Sequence, residues 1–136
     1  MKRILVLCTG NSCRSQMAEG FLRQMAHDRF EIFSAGVKAT QVNPFAIKVM
    51  DEIGIDISSH RSKSVTEFLG QVFDYIITVC DNAKQTCPMF PGQYEKMHWD
   101  IEDPADAKGS EEEKLNFFRK IRDEIKDRCL NFLKKY

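Results

Sequence analysis

Short apolar runs and amphipathic stretches alternate along this chain. Ile4-Leu5-Val6-Leu7 is a continuous run of apolar residues, as expected of a parallel strand covered on both faces. Met17, Ala18, Phe21, Leu22 and Met25 then recur at helical spacing, so Cys8 to Cys13 form a loop joining strand to helix. Phe30 to Ser34 reads as a second strand, ended by Gly36. Asn43 caps and Pro44 opens a helix lined by Phe45, Ile47, Val49, Met50 and Ile53, which runs up to Gly54. Ser64-Val65-Thr66-Glu67 has capping-box spacing and predicts a short helix. Phe73 to Val79 and Tyr94 to Trp99 read as further strands, with Pro88 and Pro91 in the loop between them. A second capping box, Ser110 to Glu113, opens a long helix whose apolar stripe is Leu115, Phe118, Ile121, Ile125, Cys129 and Phe132. Its acids come early and Lys134 and Lys135 late, which suits the helix dipole. This order predicts an α/β fold: a single domain over residues 1–136, with a four-stranded parallel sheet flanked by helices on both faces.

Composition narrows the function more than the fold. The 136 residues suit one core, and 43% hydrophobic with 29% charged residues is the balance of a folded globular domain. Twenty Lys and Arg against 20 Asp and Glu leave no net charge, so no global field draws the protein to nucleic acid or an anionic membrane. Any anion must be held locally. Met1-Lys2-Arg3 and the run to Cys8 resemble the start of a signal peptide, but Thr9-Gly10-Asn11 breaks the run too early, and a cytoplasmic monomer is expected. Five cysteines are too few for a disulfide scaffold and cannot all pair within one chain, which points to thiol chemistry in a reducing compartment.

Ligands of open parallel sheets bind beyond the carboxyl ends of the strands, and the two most apolar strands both end in cysteine, at Cys8 and Cys80. If the strands are neighbours, the two thiols come within reach of each other. The run Cys8-Thr9-Gly10-Asn11-Ser12-Cys13-Arg14-Ser15 enters a helix, so its backbone N–H groups can converge on a tetrahedral oxyanion. Gly10 and Asn11 both tolerate the left-handed conformations expected of such a cradle. Arg14 offers two parallel hydrogen bonds to the anion, the positive surroundings favour a thiolate at Cys8, and Ser15 is placed to donate to it. A Walker A loop is excluded by the lack of Gly-Lys-Ser/Thr, and a dinucleotide loop by the single glycine. His60 and His98 have no ligand spacing and no Cys-x-x-Cys occurs, so no metal site is expected. Cys13 and Cys129 read as packing residues. By itself, Asp103 before Pro104 is equally a turn residue or an acid.

The run Cys-Thr-Gly-Asn-Ser-Cys-Arg-Ser, the Asp103-Pro104 pair and the element order resemble the low-molecular-weight protein tyrosine phosphatases. The additional pair Cys80 and Cys87 resembles the thioredoxin-coupled arsenate reductases built on that fold. The resemblance implies that Cys8 attacks arsenic, Thr9 to Arg14 hold the oxyanion, Asn11 braces the loop and Asp103 protonates the departing oxygen. It further implies that Cys80 releases arsenite by forming a disulfide with Cys8, and that Cys87 then takes over Cys80 for thioredoxin to reduce. No cofactor is implied beyond those electrons. Phosphatases of the family usually carry tyrosine after Asp-Pro, where this chain has Ala105. Some of the reductases bind potassium through Asn, Glu, Ser and Asp; Asn11, Glu19 and Ser34 match, but Lys63 stands at the fourth position, so potassium is not expected. If Asp81 to Thr86 are helical, the α-carbons of Cys80 and Cys87 lie about 10 Å apart, too far for a disulfide unless the segment unwinds. The alternatives are a tyrosine phosphatase, in which Cys80 and Cys87 are incidental, and a redox-gated oxyanion sensor without turnover, which would have no use for the acid Asp103.

Overall fold

The computed structural model describes residues 1–80 and 90–136, Cys80 by its backbone alone. The segment 81–89, with Cys87 and the helix expected before it, lies outside the described residues. The first apolar run forms β1 (Lys2–Cys8), flanked by β2 (Phe30–Gly36) on one side and β3 (Tyr75–Cys80) on the other. β4 (Glu95–Asp100) pairs with β3 at the edge, giving the order β2-β1-β3-β4 with every pair parallel. Being central, β1 is covered twice, which is why it reads as unbroken apolar sequence rather than as an alternation.

Strand alternation sorts these residues between two cores. Ile4, Val6, Ile77 and Val79 join the larger one with Met17, Phe21 and Leu22 of α1 (Arg14–Ala26), Ala46, Val49 and Met50 of α2 (Pro44–Asp51), and Phe118, Ile121 and Ile125 of α3 (Glu111–Lys135). Leu5, Leu7 and Ile76 join the smaller one, under the one-turn 3₁₀ helix Val65–Phe68. There Phe73 meets the rings of Phe33, Phe68 and Phe90 edge-on, at centroid distances of 5.9, 6.1 and 5.7 Å. The expected α/β sheet with helical cover on both faces is therefore present, with the three α-helices of the described residues on one face and the 3₁₀ turn on the other.

The local signals explain where the elements stop. Asn43 accepts from Phe45 N–H, and the Ser110–Glu113 capping box closes in both directions. Gly54, at φ +82°, ends α2: Ile55 N–H donates to Met50 C=O and Gly54 N–H to Asp51 C=O, both at 3.0 Å. Ile53 thus falls past the last helical turn and is 39% exposed, not part of the core as its spacing predicts. At Ser64 the hydroxyl accepts from Thr66 N–H, while the Glu67 carboxylate pairs with Arg61 at 2.6 Å instead of closing the capping box. The result is a single 3₁₀ turn.

The chain leaves β1 toward β2 on one side and returns on the other side as β3, so the topological switch point lies between β1 and β3. Cys8 and Cys80 end these two neighbouring strands. In the register Leu7↔Thr78, Cys8 lies one residue and Cys80 two residues beyond the pair.

Gly36 pairs with Cys8 at the end of β2 and bridges to Ser64. A Cβ there would lie 2.7 Å from both Asn11 N and Thr9 O, a distance that side chains do not adopt. The loop after β1 is therefore pressed directly against the backbone of β2. Gly36→Ala is expected to destabilise the protein by about 1–3 kcal/mol, as for overpacking of a tight interior, read as a lower urea midpoint. An unchanged midpoint would show that the contact is readily relaxed.

Candidate active site

The loop from Cys8 to Cys13 is held by its carbonyls. Cys8, Thr9, Gly10 and Ser12 accept from Val37, Lys38, Thr40 and Asn43 N–H, at 3.3, 2.9, 3.1 and 3.0 Å respectively. Asn11 C=O takes Gln16 Nε2 at 3.2 Å, and Cys13 C=O takes Met17 N–H at 2.9 Å. All six carbonyls are thus engaged outside the loop, and the amide edge is the one left to face the cleft. The cleft measures about 240 Å³ and is lined by Cys8, Thr9, Gly10, Ser12, Cys13, Arg14, Lys38, Thr40, Asp103 and Ala105. The segment 36–43 is the strap that turns the loop into a cradle.

Asn11 supplies the turn. At φ 49° it is the one described non-glycine residue in the left-handed region, a conformation that asparagine tolerates better than most residues. Gly10 is not in that region, contrary to expectation. It is instead crowded from the strap, where an added Cβ would lie 3.2 Å from Thr40 Oγ1. The Asn11 side chain is fully used: Nδ2 donates to Ser15 Oγ at 2.8 Å and to Ser34 Oγ at 2.9 Å, while Oδ1 accepts from Gln16 Nε2 at 2.9 Å and from Lys63 N–H at 2.8 Å. The Lys63 N–H fixes which end of the amide is oxygen.

This sets the polarity of the chain that reaches Cys8. Ser15 Oγ lies 2.8 Å from Cys8 Sγ and accepts from Asn11, so its hydroxyl proton is the one that donates to the sulfur when Cys8 is a thiolate. Ser34 likewise accepts from Asn11 and donates to Glu19 Oε1. Cys8 and Ser15 are buried, and a thiolate at Cys8 therefore gains a fixed donor. Cys13 is also buried, at the N-cap of α1, and its burial pushes the thiol pKa up to about 12. Cys129, deep in the larger core, is pushed up in the same way. Both remain thiols, in keeping with their reading as packing residues.

Arg14 is 3% exposed; Nη1 donates to Ile101 C=O at 2.9 Å and Nη2 lies 3.5 Å from Asp103 Oδ2. The Asp103 side chain, 27% exposed, caps the 3₁₀ turn Pro104–Asp106 by accepting from Ala105 N–H through Oδ1 at 3.0 Å. One carboxylate thus makes the turn with one oxygen and faces the guanidinium and cleft with the other. The turn reading of Asp103 is therefore borne out, with one carboxylate oxygen left over at the cleft.

Sequence reading missed Gln16, Gly36 and His60. Gln16 is fully buried and ties Asn11 to Arg61 C=O at 3.0 Å, while its Oε1 takes His60 Nδ1 at 3.0 Å. Burial holds the His60 imidazole below its ordinary pKa, so it serves here as a neutral donor. In a helix pattern a buried Gln has no signal of its own. The oxygens that match a potassium set are taken: Glu19 Oε1 faces Ser34 and the Lys63 ammonium at 3.7 Å, Oε2 takes Arg23 Nε at 2.8 Å, and Asn11 Oδ1 has two donors. The residues present do not fit that ion. Among the described residues no group of three or more His, Cys, Asp or Glu is arranged for a metal, and no helix is long and apolar enough to cross a membrane.

Comparison with known proteins places this geometry. The family model of low molecular weight phosphotyrosine protein phosphatases matches residues 3–136. The chain is 48% identical over 131 residues to an arsenate reductase of Halalkalibacterium halodurans, covering 96% of this chain and 94% of that protein. Its fold superposes on an arsenate reductase solved in its phosphate-binding state with a TM-score of 0.86, at 34% identity and over 99% and 98% of the two chains. It also superposes on a thioredoxin-dependent arsenate reductase of Corynebacterium glutamicum at a TM-score of 0.77 and 26% identity, over 99% of this chain and 61% of that one. With the family model matched over residues 3–136 and relatives matched over nearly the full length, the chain belongs to the low molecular weight phosphotyrosine protein phosphatase family.

Proposed function

We propose that this protein reduces arsenate to arsenite by a cascade of three thiols and is itself re-reduced by thioredoxin. The observation that carries the reading is the sheet register: a second cysteine-bearing strand, β3, ends beside β1 at the switch point, next to the oxyanion cradle. Relatives named arsenate reductase over nearly the full length support the substrate, and the thioredoxin-dependent protein of C. glutamicum supports the reductant. A reducing compartment such as the cytoplasm suits this cycle.

Cys8 attacks the arsenic of arsenate bound by the amides of Thr9 to Arg14 and by the Arg14 guanidinium. Asp103 gives its proton to the departing oxygen, which leaves as water, and a Cys8–arsenate thioester analogue remains. Cys80 then attacks Cys8 Sγ; the sulfur–arsenic pair of electrons passes to arsenic, arsenite leaves, and a Cys8–Cys80 disulfide forms. Cys87 attacks Cys80, restoring the Cys8 thiolate and leaving a Cys80–Cys87 disulfide. Two thiols of thioredoxin supply the two electrons that reset the enzyme.

Hydrolysis of a phosphomonoester needs the loop and Asp103 and no second thiol, so it is the competing activity of the same cleft. Ala105 on the cleft wall argues against an aromatic ester as the main substrate, because a methyl group offers a ring little to stack on. Cys8→Ser is expected to abolish arsenate reduction and any p-nitrophenyl phosphate hydrolysis together, since a serine hydroxyl does not ionise in this setting. Cys80→Ser should keep hydrolysis and stop arsenite release, leaving the enzyme at the Cys8 adduct. Thioredoxin-coupled reduction at the parent rate in Cys80→Ser would overturn the cascade in favour of a phosphatase.

Asp103→Asn isolates the acid. The amide oxygen still accepts from Ala105 N–H, so the turn is preserved while the proton is lost. The oxygen-expelling step should slow by roughly 10²–10⁴-fold, the usual contribution of a positioned acid, without weaker oxyanion binding. Single-turnover measurement of adduct formation reads this step, and a parent-like rate would leave Asp103 as a turn residue only.

A further inference from the structure

We infer that Lys63 is a positioning residue and the resident cation of this site: its ammonium balances the buried Glu19 carboxylate while its backbone N–H locks Asn11, so the cradle is held without a bound metal cation. The inference deepens the function proposed above by naming what orients its nucleophile, although the loop geometry it uses stands independently of the substrate.

Glu19 is 4% exposed, and a buried carboxylate without a cationic partner is strongly unfavourable. Four groups face it: Arg23 from α1, Ser34 from β2, and His60 and Lys63 from the segment before the 3₁₀ turn. Ser34 is neutral, and the His60 Nδ1 atom, 3.8 Å away, is engaged with Gln16. Arg23 Nε donates to Glu19 Oε2 at 2.8 Å, but the Arg23 side chain is 50% exposed, so water screens part of its charge. The Lys63 side chain is 13% exposed, with its ammonium 3.7 Å from Glu19 Oε1 and donating to Arg61 C=O at 3.0 Å. It is the better-shielded full cation of the set.

Lys63 therefore touches the relay at one end and at its middle. Its side chain stands at Glu19, the terminal acceptor of the Ser34 hydroxyl; its backbone holds Asn11 Oδ1, and the Asn11 amide divides its two N–H bonds between Ser34 and Ser15. Ser15 ends the relay at Cys8. Removing the ammonium leaves Glu19 with the screened Arg23, loosens the acceptor that orders Ser34 and Asn11, and so loosens the Ser15 donor at the sulfur. The consequence reaches a nucleophile that Lys63 does not touch.

The test is alkylation of Cys8 by iodoacetamide at neutral pH, resolved by peptide mass spectrometry, in potassium, sodium and choline chloride at equal ionic strength. Wild type, Lys63→Met and Lys63→Arg are compared, with urea unfolding as the check on folding. Wild type and Lys63→Arg should alkylate alike and without preference among the salts. Lys63→Met should slow at Cys8 by about 3- to 30-fold in choline chloride, the scale of coupling within one hydrogen-bond network. A wild-type rate that rises saturably with potassium, a parent-like rate in Lys63→Met, or a Lys63→Arg as slow as Lys63→Met would each overturn the inference. The assay uses neither arsenate nor thioredoxin, so its failure is distinguishable from failure of the reductase reading.

Discussion

The site depends on one asparagine side chain that has no hydrogen-bonding capacity left over. Asn11 takes the left-handed turn, and all four bonds of its amide are committed, two to hydroxyls and two to the donors Gln16 and Lys63. An aspartate would lose both donations, and a glycine would keep the turn while leaving Ser15, Ser34 and the Lys63 N–H without their partner. An unsatisfied buried polar group costs about 1–3 kcal/mol, so the cost of losing this side chain is spread over several groups at once. That loss would reach the nucleophile directly, because Ser15 is oriented toward Cys8 by the bond it accepts from Asn11.

Around Asn11 the charges divide into two separate sets. Arg14 and Asp103 face the cleft, where an oxyanion adds negative charge, and Glu19, Arg23 and Lys63 lie behind the loop among buried groups. In the proposed cycle the first set exchanges partners: an incoming anion competes with Asp103 for Arg14, and a protonated Asp103 does not compete at all. Proton transfer from Asp103 to the departing oxygen makes it a carboxylate again, free to return to Arg14. The second set has no such exchange to make and serves to keep the loop from moving while the first set does.

Most of the scaffold is legible in the sequence because its signals are local. Continuous apolar runs mark β1 and β3, and Asn43-Pro44 and Ser110–Glu113 carry their own caps. The candidate nucleophile and clamp of the proposed function are legible for a similar reason, as Cys8 and Arg14 bracket a loop between a strand and a helix. What is not legible is set by contacts distant along the chain. Gly36 ends a strand in the sequence, yet its missing side chain is required by a backbone 25 to 27 positions earlier, at Thr9 and Asn11. The sequence singles out the Lys63 side chain at the fourth position of a potassium set, but only the topology brings its backbone N–H and the Gln16 amide to the same Asn11 oxygen. Ile53 fails in the opposite sense: its spacing is helical, but Gly54 turns the chain before it can join the core.

One loop of this kind suits both hydrolysis and reduction because the first step of each is a thiolate displacing an oxygen from a tetrahedral centre. The products diverge with the element that follows. A phosphorus–sulfur adduct has no accessible lower oxidation state, so water must resolve it, whereas an arsenic–sulfur adduct can accept the electron pair when a second thiol attacks sulfur. Reduction therefore requires a second thiol positioned near Cys8 and little else that hydrolysis lacks. The sheet order supplies its position at small structural cost: β3 runs parallel beside β1, and ending both strands in cysteine brings the second thiol-bearing residue to the switch point without altering the cradle. Ala105 completes the distinction on the other wall, since an oxyanion of four oxygens needs charge and hydrogen bonds from the loop and gains nothing from an aromatic ring at the rim. A change of chemistry on this fold thus asks for one residue at the end of a neighbouring strand and a further thiol to carry the oxidation away, with the anion site left as it was.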